Sequence, residues 1–441
     1  VQPALFYYLP DNAPTMSSSH SAALTLLRVT IGLMLAQSLA QAAHSTAVTV
    51  NTLAAVQLSG QKALAGMAGM AVLGGSALAA YPAGYLMSRL GRRYGLVIGA
   101  ATASLGAGLA GFGIVRASFF AFLWGLFVVG MGRAALDQGR FAAAEVTPQE
   151  RRARVMSLVL WGATVGAVSG PLLAAPAGNW ALSLGLNTYA GPLLLTSAGY
   201  AVVAFVLFVM LAVDWQRLVE RASSTPSTAR ATPPTLTTPI TPSPHPRSFA
   251  QALRQPAVFA ALVAMACGQA AMVLLMASVS VHMSDHGHDL GDISAVISIH
   301  VLGMFAFSPL MGQLADRWGR RAVIVAGALV LMAGCVIAPL SLDTPWIALG
   351  QFCVGLGWSG CYVAGSALLA DALGAAERAR LQGANDAVVN VASAAGSLGS
   401  GLLLAVAGFT VLAAVGFAVA LLPLLAAFAS LPAAGKLVRT E

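Results

Sequence analysis

Twelve runs of about twenty mostly apolar residues are spaced along this chain, and each is long enough to cross a bilayer as a helix. They fall at approximately 23–52, 63–87, 95–115, 118–144, 155–177, 187–213, 256–282, 292–311, 322–341, 345–370, 382–407 and 409–431. Backbone inside hydrocarbon must satisfy its own hydrogen bonds, so these runs predict an all-α integral membrane protein. Composition agrees. Charged residues make up 9% of the 441 residues, against roughly 25% in an ordinary soluble protein. That is too few to cover the three domains of ~150 residues that the length alone would allow. With 58% hydrophobic residues and a mean hydropathy of +0.80, most of the surface is expected to face lipid.

The polar stretch 214–255, rich in Ser, Thr, Pro and Arg, reads as a flexible cytoplasmic linker between bundles at 23–213 and 256–431. Tails at 1–22 and 432–441 complete the predicted organisation. Residues 1–21 are polar and lack a signal-peptide core, and a sequence starting at Val1 suggests processing or a junction upstream. The net charge of +8 comes from short basic clusters between apolar runs, a pattern that argues against nucleic-acid binding. With both termini in the cytoplasm, every lysine and arginine except Lys62, Arg116, Arg133 and Arg140 falls on the inner side. Cys267, Cys335, Cys353 and Cys361 all lie in apolar runs without zinc-type spacing. There is no phosphate-binding loop and no nucleophile with a partnered base, so an enzyme is not expected.

The halves repeat. The segment from Gly84 to Arg93, with Arg89, Gly91 and Arg92, matches Gly312 to Arg321, with Asp316, Arg317, Gly319 and Arg320, at an offset of 228. Arg152 and Arg154 likewise match Arg378 and Arg380. Two six-helix pseudo-repeats with these loops resemble the major facilitator superfamily. The resemblance implies a central cavity and rocking alternating access. It also implies that the loop carboxylate helps to lock the inner side. The first loop has Ser88 at the acidic position, so the N-terminal lock is expected to be the weaker one. Gly162, Gly166 and Gly170-Pro171 partly resemble the glycine-proline motif of superfamily antiporters, with Ala174 and Ala175 departing from it. Close packing through small residues explains them equally well.

Polar groups within spans are costly and are the default functional candidates. Here they are Gln37, Gln41 and His44 in the first span, Arg133, Asp137 and Arg140 in the fourth, and Gln269 and His300 in the seventh and eighth. Tyr362 lies in the tenth, and Asn385, Asp386 and Asn390 in the eleventh. Arg133 and Asp137 are four apart and can pair, either as a structural ion pair or with Asp137 as a proton-coupling carboxylate. Met272 and Met276 share one helical face, as do His300 and Met304 on the next span. In an antiparallel pair, residues of equal depth have a constant index sum. That places Met276 level with His300 and Met272 level with Met304, roughly 10 and 15 Å below the outer ends. Such a set suits a soft cation, Cu(I) above all, although methionine is also a common packing residue. Six of the fifteen methionines lie in this hairpin, which favours ligation. The outer loop adds His282, Met283, Asp285, His286 and His288, either a metal-capturing mouth or a solvated loop. Met265 and Cys267 could pass a metal inward, or simply pack.

Met272-x-x-x-Met276 followed by His300-x-x-x-Met304 is similar to the paired motifs of the CcoA-type copper importers, and the stretch Glu377–Asp386 also resembles that group. The resemblance implies copper uptake across the bacterial inner membrane in support of cbb3-type cytochrome c oxidase assembly. It further implies Met272, Met276, His300 and Met304 as ligands, copper as the transported ion, no permanent cofactor and a monomer that hands copper to a cytoplasmic chaperone. The competing expectation is an organic-solute carrier, either a flavin-like nutrient importer or a drug/proton antiporter, with Gln37, Gln41, His44, Arg133, Asp137 and Tyr362 facing the cavity. A metal sensor on a transporter scaffold is a third.

Overall fold

A computed structural model describes residues 16–139, 152–212, 249–373 and 375–429. Arg140, most of the linker and the C-terminal tail lie outside them, as do the side chains of Ser88, Arg152, Arg154, Arg378 and Arg380. The N-terminal half contains α1 (Met16–Ser59), α2 (Met67–Leu90), α3 (Arg92–Val115), α4 (Phe119–Leu136), α5 (Arg152–Leu172), α6 (Ala174–Ser183) and α7 (Ala190–Met210). A single turn, α8 (Phe249–Ala252), precedes α9 (Pro256–Asp285), α10 (Leu290–Phe305), α11 (Ser308–Trp318), α12 (Arg320–Ile337), α13 (Thr344–Ala372) and α14 (Ala375–Ala429). The fold is a twelve-span, two-bundle membrane architecture. Nine helical segments among the described residues are long and apolar enough to cross a bilayer, and Leu381–Ala429 is long enough to do so twice.

Local chemistry sets the breaks. Pro256, Pro309 and Pro345 open α9, α11 and α13, at positions where a missing N–H costs nothing. Ser118 and Asp289 cap α4 and α10 by accepting from Ala121 N and Asp292 N. The expected fifth span is divided between α5 and α6 just past Pro171, and the expected eighth is divided between α10 and α11 just ahead of Pro309. The last two spans are separated only by Gly408, at φ 78°.

Gly91 and Gly319, the matched loop glycines, both turn the chain at positive φ (85° and 91°) with extended ψ, a region almost closed to other residues. No atom crowds either one. Backbone conformation, rather than space, therefore demands glycine there.

Close backbone approach demands it elsewhere. A side chain at Gly75 or Gly130 would overlap the Phe127 or Val72 carbonyl oxygen, pinning α2 on α4. Gly303 and Gly355 repeat that contact against the carbonyls of Phe352 and His300, pinning α10 on α13. Gly99 with Gly132 and Gly106 with Gly125 join α3 to α4. Gly327 with Gly357 and Gly334 with Gly350 join α12 to α13 in the same way. Between halves, α2, α3, α10 and α12 keep the loop offset of 228, and α4 and α13 are shifted by 225. The two bundles are thus repeats in their contacts as well as their loops. Large apolar side chains such as Leu105, Phe120, Trp124, Phe205, Leu402 and Val406 are exposed on the outer faces, as a lipid-facing surface requires.

Gly130→Val should destabilise the protein by about 1–3 kcal/mol or more, because two helix backbones must part. Gly312→Ala, where nothing lies within 4 Å, should leave the melting temperature in detergent unchanged. Equal melting of both variants would contradict the close-packing account.

Candidate functional site

The stretch of α1 from Gln41 to Thr52 lies opposite α9, and between them is a cavity of about 280 Å³. Gln41, His44, Ser45, Asn51 and Thr52 project from α1 at helical spacing and form its polar wall. From the other half come Gln269, Met272, Met276 and Ser280 on α9, Ile297, Val301, Met304 and Phe305 on α10, and Ser393 and Ser397 on α14. Gly69 and Val72 of α2 complete the N-terminal side. Among the described residues, no Asp, Glu, Lys or Arg lines this space. Its polar chemistry is hydroxyl, carboxamide and imidazole; its apolar chemistry is aliphatic and thioether.

Met272, Met276 and Met304 all border the cavity, but His300 does not join them. Its ring is 1% exposed and lies against α13, with Nδ1 2.9 Å from the Gln351 carbonyl oxygen. Nε2 and both side-chain polar atoms of Gln351 are buried without partners. The four expected ligands therefore do not converge on one point in this conformation. Gly355 lets α13 approach the backbone of His300, and the adjacent ring is held in that helix contact.

The outer-loop residues are not gathered as a metal mouth either. Met283 is fully buried in the apolar core. The His282 ring stacks on Phe409 at 4.2 Å, and His286 Nδ1 lies 2.7 Å from the His282 carbonyl oxygen. His288 Nε2 lies 2.8 Å from the Leu342 carbonyl oxygen, and Asp285 accepts from Lys62. No three His, Cys, Asp or Glu side chains among the described residues are placed to share a metal.

Other expected cavity residues also lie elsewhere. Gln37 sits beside Gly139, past the end of α4. Asp137 is 61% exposed, with its Oδ1 3.8 Å from Arg133 Nη2, and neither residue borders the cavity. Tyr362 stacks on Trp358 at 5.0 Å, outside the lining. Trp358 escaped the sequence reading. Its indole N–H donates to Gln269 Oε1 at 2.7 Å, and Gln269 Nε2 donates to Ser393 Oγ at 3.3 Å. Continuing the helical spacing from Gln41 and His44 would have reached Asn51 and Thr52, but nothing in one sequence pairs Trp358 with Gln269.

The two ends of the bundles differ. At the end holding Ser59, Gly66 and Asp285, Lys62 Nζ pairs with Asp285 Oδ2 at 2.7 Å and Ser397 donates to the Gly66 carbonyl at 2.9 Å. Tyr189 and Ser284 line one pocket across the same boundary, and Leu53, Ala65 and Ala167 pack into the apolar core of the other half. At the end with the repeated loops, the described arginine contacts fall within each half. Arg92 donates to Gln138, and Arg93 to the Phe208 carbonyl. Arg320 reaches Asp371 at 3.2 Å and Asp316 closer still. Arg89 lies over the Tyr85 ring.

Two helical bundles sealed at one end around a central cavity are the architecture of a carrier. The chain belongs to the Major Facilitator Superfamily, whose family profile matches residues 33–289 and 261–440, and it is a multi-pass membrane transporter of the secondary type. It is 33% identical over 381 residues to the uncharacterized MFS-type transporter YdeG of Bacillus subtilis, with 85% of each chain covered. It is 27% identical over 377 residues to the riboflavin transporter RfnT of Brucella anthropi, covering 86% of this chain and 89% of that one. Among solved structures it is similar to a bacterial homolog of the human lysosomal transporter Spinster in an inward-facing, unoccupied conformation. There the TM-score is 0.66 at 16% identity, over 92% of this chain and 96% of that one, a likeness of fold alone.

The exposed Lys62–Asp285 pair is worth at most about 1 kcal/mol, so its loss should loosen the sealed end by a few-fold. In a background with the four native cysteines replaced by alanine, Lys62→Glu should raise labelling of Ser280→Cys, a position buried in the closed structure, by a membrane-impermeant thiol reagent roughly two- to fivefold. Adding Asp285→Lys should reverse the gain. Unchanged labelling would show that contacts other than this ion pair hold this end.

Proposed function

We propose that this protein moves an uncharged, hydrogen-bonding organic solute of the flavin-like class across a bacterial cytoplasmic membrane by alternating access. Both termini would lie inside and the sealed end would face out. The observation that carries this reading is the cavity of about 280 Å³ without a charged lining side chain. Its size is close to the lower bound of roughly 300 Å³ for small-molecule pockets. A bare ion instead needs several donors converging at bonding distance. Carboxamides, hydroxyls and one imidazole offer directional bonds to a neutral solute, while Phe305, Val301 and the thioethers cover its apolar faces. Full-length similarity to a riboflavin transporter supports the same solute class.

Copper import is the second reading, and the specific feature in its favour is the row of thioethers from Met272, Met276 and Met304 on the cavity wall. It requires the His300 ring to leave Gln351 and swing toward that wall.

Proteoliposomes separate the two. Under the first reading, riboflavin enters saturably, Gln41→Leu reduces uptake about tenfold, and Met272→Ala changes it by less than about threefold. A Cu(I) chelator has no effect. Copper flux lost in Met272→Ala and His300→Ala, without any flavin flux, would establish the second reading instead.

A further inference from the structure

The Trp358–Gln269–Ser393 chain fixes which way a carboxamide in the cavity wall is turned. An indole N–H can only donate, so the Gln269 atom 2.7 Å from Trp358 Nε1 must be the oxygen. That leaves the amide nitrogen on the other side, where one hydrogen reaches Ser393 Oγ. A carboxamide nitrogen carries two hydrogens. The second remains for the cavity, which Gln269 and Ser393 both line. Trp358 is itself held, stacked on Tyr362 and edge-on to Phe305 at 6.0 Å, so the indole cannot easily turn away.

We infer that Gln269 is a specificity-determining residue. Held by Trp358, it offers an N–H donor to the transported solute, and so selects neutral ring compounds that present a carbonyl acceptor there, of the lactam or imide type. This rests on the organic-solute reading above and narrows it. The same locked donor disfavours a solute presenting an amine N–H at that point, because two donors would then face each other.

The test uses the full chain in detergent and reads ligand affinity from the shift in melting temperature. The probes are 3,4-dihydro-2-quinolinone, a neutral lactam, its carbonyl-free counterpart 1,2,3,4-tetrahydroquinoline, and riboflavin. The wild type should prefer the lactam over the amine about tenfold, the value of one well-made hydrogen bond. Gln269→Met, which keeps the volume, should lose that preference. Trp358→Phe, which keeps the ring but not the N–H, should let the carboxamide turn over and should gain affinity for the amine. A gain of that kind cannot come from damaged folding.

The inference is overturned if the wild type does not distinguish the pair, if no probe shifts its melting, or if Gln269→Met keeps the preference. Riboflavin separates the two proposals. Failure to bind riboflavin with the lactam preference intact would remove the flavin-like class and leave the role of Gln269 standing. Riboflavin bound equally by wild type and Gln269→Met would overturn the role of Gln269 and leave the class standing.

Discussion

Inside hydrocarbon no water is present to drive helices together, so association depends on how closely backbones can approach. In this chain glycine sets that distance. Gly75 with Gly130, Gly99 with Gly132 and Gly106 with Gly125 hold α2, α3 and α4 together, and their counterparts hold α10, α12 and α13. Each bundle becomes a stiff unit whose side chains change place only if the whole unit moves. Rocking of one unit against the other, rather than bending within either, is the motion such packing permits.

The boundary between the units adds polar contacts to the same device. It joins at one end through an exposed ion pair, a hydrogen bond, a patch of apolar packing and close backbone approach, with Gly66 against the Ser397 carbonyl oxygen and Gly401 against that of Ala63. Exposed ion pairs contribute little, so the glycine contacts and the apolar patch carry most of the seal. At the other end, the described contacts of Arg92, Arg93 and Arg320 fall within their own halves.

Much of the fold was legible because the signals are local. Apolar run length gave the spans, and Gly408 separates the last two where the hydropathy reading divides them. Matched loops gave the repeat, and Gly91 and Gly319 share one backbone conformation. The site was legible only in part. An antiparallel hairpin relates depth to residue number, and Met272, Met276 and Met304 do reach one cavity. Rotation about the helix axis is a tertiary matter. Ile297, Val301, Met304 and Phe305 face the cavity, while His300 lies to one side, over a glycine on α13 that only the fold brings near. The loop residues failed for a related reason. Asp285 answers Lys62 across 223 positions, and Asp289 is spent as a helix cap.

A cavity without a fixed charge has consequences for what drives transport. A carrier that neutralises an ionic solute or a proton at mid-membrane needs a counter-charge there, since an unpaired ion in low dielectric is costly. Among the described residues, His44 is the one titratable side chain on this wall, and the Arg133–Asp137 pair stands outside it, with Asp137 largely exposed. A neutral solute needs no such partner. It can cross down its own gradient while the bundles rock, and the unpaired polar atoms of His300 and Gln351 between α10 and α13 are then a matter of packing specificity rather than of charge movement. Selectivity for such a solute would come from hydrogen-bond direction and shape, which under the proposed reading fall to the α1 polar wall and the Trp358-held carboxamide.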